Sequence, residues 1–206
     1  ARPTILGDGA DPEVWLWDIS WNETAYQADN TKGWEATKRN LDKTNHYKEL
    51  YSKCFSNHNK SLKYYEWLYK QNPNGSYIGV DCIYDNEIIG QVGGIPFPYN
   101  YEGKICKVLL SINVCVSPDH KGKKIFNKLA QKLESYAKEE KFKFIIAIAN
   151  KSATPAWIKS ISMQNIGQLN ASIGYGNYGL KKLRLEQSDF FVMWNKKTIE
   201  WRINNP

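Results

Sequence analysis

From Ile125 onward the apolar residues Phe126, Leu129, Leu133, Tyr136 and Ala137 fall at offsets of +1, +4, +8, +11 and +12, one face of a 3.6-residue repeat. Lys128, Lys132, Lys138 and Glu139 take the opposite face, so the stretch predicts an amphipathic helix. Lys143 to Ala149 follows as an almost continuous apolar run, the pattern of a strand covered on both faces. Upstream, Tyr77 to Tyr84 is β-rich, Asp85-Asn86 forms a tight turn and Glu87 to Ile95 resumes as a strand, which predicts a hairpin. A second hairpin turns over Tyr99 to Gly103 and continues as one long strand, Lys104 to Val116, ending at Ser117-Pro118. Before these come helical segments over Trp34 to Phe55, with Thr44 as N-cap for His46 to Cys54, and a helix over Ser61 to Lys70 capped by Ser61. Pro73 and Gly75 stop it.

Toward the ends the signals are shorter. Asp11 to Ser20 alternates like a strand or an aromatic-rich arm, and Asn30 to Gly33 reads as a loop. Thr154-Pro155 opens a helix to about Ser160, with strand-like segments at Gln164 to Ala171, Leu180 to Leu185 and Phe190 to Trp194. The order predicts an α/β domain on a mixed, largely antiparallel sheet flanked by helices. A crossover helix between Val116 and Phe144 makes those two strands parallel neighbours. Residues 1–30 read as an N-terminal extension and 31–206 as the domain. EWLYKQNP at Glu66 to Pro73 echoes EWRINNP at Glu200 to Pro206, yet two short matches of unequal spacing do not establish a repeat.

Composition narrows the class. A chain of 206 residues, 42% hydrophobic and 24% charged, is neither a disordered tail nor a disulfide scaffold. No run of about 18 apolar residues exists, so no membrane span is predicted. Residues 1–10 lack the apolar segment of a secretory signal. Cys54, Cys82, Cys106 and Cys115 form no CxxC pair, which predicts free thiols, no metal site and a reducing, cytoplasmic setting. Of the net charge of +7, Lys104 to Lys143 carries +6: ten Lys against Asp119, Glu134, Glu139 and Glu140. Such a patch suits nucleic acid, an acidic surface, a phosphate-rich ligand or simply solvent.

Its position gives the patch a chemistry. A strand ends at Val116, a turn carries Lys121, Gly122, Lys123 and Lys124, and a helix begins at Ile125 and Phe126. A helix N-terminus offers unpaired N–H groups and a positive dipole end, and Gly122 permits close backbone approach, so this is an anion site built from backbone. Neither GxxxxGK[ST] nor GxGxxG occurs.

Val116, Pro118, Lys121 and Gly122, with Asn150 ending the next strand, resemble the V-x-P-x-x-R-G-x-G segment of the GCN5-related N-acetyltransferase (GNAT) superfamily, Lys standing for Arg. The resemblance spans roughly Tyr47 to Leu185. It looks closest to a branch with an N-P-x-G segment before the first hairpin (Trp67 to Gly75) and N-K-S after the strand (Asn150, Lys151, Ser152). It implies a mixed sheet whose parallel pair splays around acyl-coenzyme A (acetyl or longer), and an N-acyltransferase. The diphosphate would lie on Lys121, Gly122, Lys123, Lys124, Ile125 and Phe126, the pantetheine along Val114 to Val116, with Asn150 and Ser152 nearby. The acceptor it suggests is a primary amine on a small molecule, such as a nucleotide-linked amino sugar for surface polysaccharide. Protein or peptide N-acylation, a coenzyme-binding module and a nucleic-acid-binding module stay open. Nucleic acid fits poorly, because Phe126 and Tyr136 take the helix's buried face rather than interleaving with exposed lysines. A homodimer is as open as a monomer.

Two departures from the pattern bear on chemistry. Lys124 replaces a loop glycine, tolerable only where that position keeps helical φ. Trp157 or Ile158 stands where a proton-donating Tyr is usual. In addition, Val108 to Val116 carries no Asp or Glu, where some relatives keep a general base. Asn113 and Ser111, alternating with Ile112 and Val114, are candidates to hold a deprotonating water; polar residues at a core edge are the other reading. Tyr175 and Tyr178 could supply the missing acid or simply pack a turn. His120 reads as a surface residue, and His46 and His58 have no partner in sequence. Tyr64, Tyr65, Trp67 and Tyr69 lie on the second helix, where the resemblance implies acceptor contacts, while at least Trp67 reads as core.

Overall fold

The computed structural model describes residues 13–18, 35–55, 60–149, 153–161, 163–168 and 190–206. The strands are β1 (Glu13–Asp18), β2 (Glu35–Lys38), β3 (Ile78–Tyr84), β4 (Glu87–Tyr101), β5 (Lys104–Ser111), β6 (Cys115–Val116), β7 (Phe144–Ala149), β8 (Gln164–Gln168) and β9 (Phe190–Val192). The helices are α1 (Thr44–Cys54), α2 (Leu62–Lys70), α3 (Ile125–Glu139), α4 (Thr154–Ile161) and α5 (Lys196–Ile203), with short 3-10 turns at Leu41–Lys43 and Pro118–His120. One mixed sheet runs β2-β3-β4-β5-β7-β1-β8, and β6 and β9 also pair with β4. All pairs are antiparallel except β5 with β7, which run parallel from Val108↔Phe144 to Ser111↔Ala147.

Alternation along the strands builds two cores. Val108, Phe144 and Ile146 face the aromatic layer of α1, α2 and α5, while Leu109, Ile145 and Ala147 face Leu129, Leu133 and Ala137 of α3. β7 is therefore covered on both faces, as its apolar run predicts. Asp85 and Asn86 both adopt positive φ, 47° and 62°, at the β3–β4 turn. β4 and β5 approach closely because of Gly94, where a Cβ would collide with the Leu110 carbonyl.

Four expectations change. Glu35–Lys38, read as helical, is an edge strand pairing with β3 from Glu35↔Ile83 to Lys38↔Val80. Thr44 is the first residue of α1 rather than a cap, and its hydroxyl donates to Leu41 O at 2.8 Å. The long strand from Lys104 breaks at 112–114, where Asn113 has φ 53°. Residues 196–203, unassigned from sequence, form α5, capped by Asn195 accepting from the Thr198 N–H. Ser61 caps α2 as expected, accepting from the Tyr64 N–H at 3.1 Å. The predicted loop at 30–33 and strand at 180–185 lie outside the described residues.

Candidate acyl-donor site

β6 is held by β4 alone, through Gly90↔Val116 and Gln91↔Cys115, because the parallel β5–β7 pairing ends at Ser111↔Ala147. Among the described residues β6 thus pairs along one edge only and keeps the other free. At the break the Asn113 and Val114 N–H groups donate to no described backbone carbonyl, whereas the Ile112 N–H bonds Gly93 O at 3.1 Å.

The strict alternation read for this segment fails here. Ile112 packs in the α1/α2 core, and Asn113 reaches α2 on that same side, donating from Nδ2 to the Tyr69 hydroxyl at 2.8 Å. Val114, Cys115 and Val116 then resume alternation, with the two valines toward α3. Positive φ at Asn113, a conformation that Asn tolerates, places two successive side chains on one face. Ser111 is buried and spends its hydroxyl on Gly93 O at 3.0 Å.

The turn after β6 is anchored by the Ser117 N–H on Ile89 O at 2.7 Å. Gly122 has φ 78°, and a Cβ built there would meet nothing within 4 Å, so the backbone is open to a ligand. Lys124 has φ 57°, left-handed rather than helical as expected, and it offers α3 no side-chain cap. The first turn of α3 holds no acidic residue. Ile125 is fully buried and Phe126 packs edge-on against Trp157 at 4.9 Å, which leaves backbone N–H groups and the exposed lysines 121, 123 and 124 to face an anion. These features fit an acyl-coenzyme A: an uncapped, acid-free helix start for phosphate, and a free strand edge for an extended amide arm.

His120 lies against the Tyr84 ring at 5.4 Å, with Nδ1 3.2 Å from Lys123 Nζ. The four cysteines are free. A hydrogen bond from Cys115 lowers the Cys54 thiol pKa, against burial and with help from Lys121 and Lys53, while burial raises that of Cys115. Trp157 is buried and Ile158 is exposed; neither is an acid. Tyr175, Tyr178, Asn150, Ser152 and His58 lie outside the described residues. Sequence reasoning missed Arg39, Tyr51, Asp81 and Gln91, which gather behind Tyr69 from four different elements or their flanks. No periodic signal marks a buried polar residue, and the stretch holding Arg39 reads as helical, so the sequence offered no hint.

Among the described residues no group of three or more His, Cys, Asp or Glu could hold a metal ion, and no helix is long and apolar enough to cross a membrane. No curated protein matches the sequence. Solved structures do. A predicted acetyltransferase with acetyl-CoA from Clostridium acetobutylicum is similar at 16% identity and TM-score 0.53, over 68% of this chain and 96% of that one. An aminoglycoside acetyltransferase from an uncultured soil metagenomic sample, in complex with sisomicin, is similar at 17% and 0.52, over 72% and 98%. A ribosomal-protein-alanine N-acetyltransferase from Brucella melitensis is similar at 16% and 0.53, over 69% and 99%. At these identities they share the fold. The family model for the acetyltransferase (GNAT) domain matches residues 20–155, which takes in the β6 edge, the Gly122 turn and α3, and the chain belongs to that family.

Proposed function

We propose that this acetyltransferase takes an acyl-coenzyme A as donor and a primary amine on a small molecule as acceptor. The observation that carries the reading is the free edge of β6 running into the uncapped, lysine-flanked start of α3. The phosphates lie on the backbone from Lys121 to Phe126, and the pantetheine amides pair along Val114 to Val116. The thioester carbonyl lies near the strand break, polarised by the unused N–H groups of Asn113 and Val114.

The amine nitrogen forms a C–N bond to that carbonyl carbon, the tetrahedral oxyanion collapses and the C–S bond breaks. The ammonium proton passes to water, and the coenzyme thiolate takes its proton from water. Holding the two reactants together supplies most of the acceleration, so no dedicated base is required. The excess of lysine around the site suits an acceptor that itself carries phosphate, such as a nucleotide-linked amino sugar.

The test is thiol release from acetyl- and longer acyl-coenzyme A against amino sugars, nucleotide-linked amino sugars, polyamines and peptides. Turnover above hydrolysis with a small amine supports the reading. Turnover with peptides alone moves the acceptor to protein. Tight coenzyme binding with no turnover leaves a coenzyme-binding module.

A further inference from the structure

Behind Asn113 stands a buried cation. The Arg39 guanidinium, just after β2, lies 3.5 Å from the Tyr47 ring centroid, 4.3 Å from that of Tyr77 and 4.5 Å from that of Tyr69. Its Nη1 donates to Gln91 Oε1 at 2.5 Å and its Nη2 to the Tyr51 hydroxyl at 3.1 Å. The Tyr51 and Tyr69 hydroxyls are 2.8 Å apart, and Asn113 Nδ2 donates to Tyr69 at 2.8 Å. A hydrogen-bonded chain thus runs from a buried guanidinium to the side chain at the strand break.

Arginine can only donate, so the Tyr51 oxygen accepts from Arg39. Either hydroxyl can donate in the Tyr51–Tyr69 bond, and the Tyr69 oxygen accepts from Asn113 Nδ2. Burial raises the Tyr69 pKa, while Arg39, Tyr51 and Asn113 each oppose it by favouring a negative oxygen. An oxygen in that field draws the Nδ2 end of Asn113 and leaves Oδ1 without a partner among the described residues.

Resting on the acyltransfer reading, we propose that Arg39, Tyr51 and Tyr69 are positioning residues that turn the Asn113 carboxamide so that Oδ1 accepts an N–H of the acceptor amine and orients its lone pair on the thioester. Asn113 touches the substrate; the other three act through it. This separates two tasks at one site: the Gly122 turn binds the donor, and the arginine-anchored tyrosines set the acceptor.

The experiment has an arm that needs no turnover. The Asn113 side-chain amide is followed by nitrogen-15 NMR, with coenzyme A as probe, in wild type, Tyr69→Phe, Tyr51→Phe and Trp201→Phe. Wild type should show an exchange-protected amide proton. In Tyr69→Phe its protection should fall at least tenfold, with coenzyme A affinity changed less than twofold. Tyr51→Phe should show a smaller loss. Trp201→Phe, which loosens α2 elsewhere, should lower the melting temperature without moving the amide signal. Unchanged protection in Tyr69→Phe overturns the proposal, as does a signal that merely follows melting temperature across the variants.

The second arm uses acetyl-coenzyme A with the best amine from the acceptor panel. Tyr69→Phe should lower kcat about tenfold with acetyl-coenzyme A KM unchanged, and Tyr69→Phe/Asn113→Ala should be no slower than Asn113→Ala alone. Additive losses overturn the proposal. Wild-type inactivity with every amine would instead defeat the acyltransfer reading, and with it the role given to Oδ1, even if the NMR arm finds the amide held.

Discussion

The indole rings of Trp67 and Trp201 stack 4.7 Å apart at 20°, and each donates its Nε1–H to the other's backbone carbonyl, at 2.9 and 3.2 Å. Both are buried, and they join α2 to α5 across 134 positions of sequence. The two similar segments EWLYKQNP and EWRINNP therefore meet in space through their tryptophans. Asn74 and Thr198 bond beside them at 3.2 Å.

Trp201→Ala should therefore destabilise the fold by about 3–5 kcal/mol, the usual cost of emptying a large aromatic site. It also removes the Nε1–H that donates to the Trp67 carbonyl. Urea unfolding measures this; a loss below about 1 kcal/mol would mean that α5 adds little to the core.

Gly122→Asp and Gly122→Asn should separate strain from charge. Both residues tolerate positive φ and both have room at this position. Only Asp puts a negative charge beside bound phosphate, so it should weaken coenzyme A binding about 100-fold while Asn stays within about tenfold. Calorimetric titration of the two folded variants decides it, and equal losses would remove the phosphate from this turn.

Lys124→Gly should stabilise. A left-handed non-glycine residue costs about 1–2 kcal/mol, and glycine's greater freedom in the unfolded chain offsets about 0.5–1 kcal/mol of the relief. The net gain should be up to about 1.5 kcal/mol in urea unfolding. Coenzyme A affinity should fall slightly with the lost cation.

Burial pushes the Cys82 thiol up to about 12, with Asp81 adding to the shift, and burial alone pushes Tyr99 up to about 12. Groups raised in the folded state keep their stabilising effect below their unfolded pKa and lose it as pH rises toward the folded value. The urea midpoint should therefore hold to about pH 8.5, the unfolded thiol value, and fall from there toward pH 12. Cys82→Ala should flatten the first part of that fall. Iodoacetamide at pH 8 should modify Cys54, whose pKa is lowered, well before Cys82; mass spectrometry of the peptides reads the order.

Where local chemistry suffices, sequence and structure agree. Asp85-Asn86 forms its turn because both residues accept positive φ, Ser61 caps α2 with its own hydroxyl, and the 3.6-residue spacing from Ile125 sets which face of α3 is buried. The lysine turn and the helix after it were equally legible, because a turn and a helix start are made from consecutive residues. Glu35–Lys38 was not. Glu-Ala-Thr-Lys carries helix-forming residues, and only pairing with β3, more than forty positions away, makes it a strand.

The cluster behind Asn113 was the least legible part. Lys104 to Val116 reads as one strand, yet the parallel partner β7 stops pairing at Ser111↔Ala147, and Asn113 turns to α2. Arg39, Tyr51, Tyr69 and Asn113 come from a strand flank, two helices and a strand break, so no spacing in the chain connects them. Sequence by itself determined the mixed α/β class, the crossover helix and the lysine turn before it, since each follows from short-range periodicity or adjacent backbone groups. Tertiary structure alone decided which polar side chains meet behind the strand break, because burying a guanidinium among tyrosines depends on long-range packing that nearest neighbours in sequence do not encode.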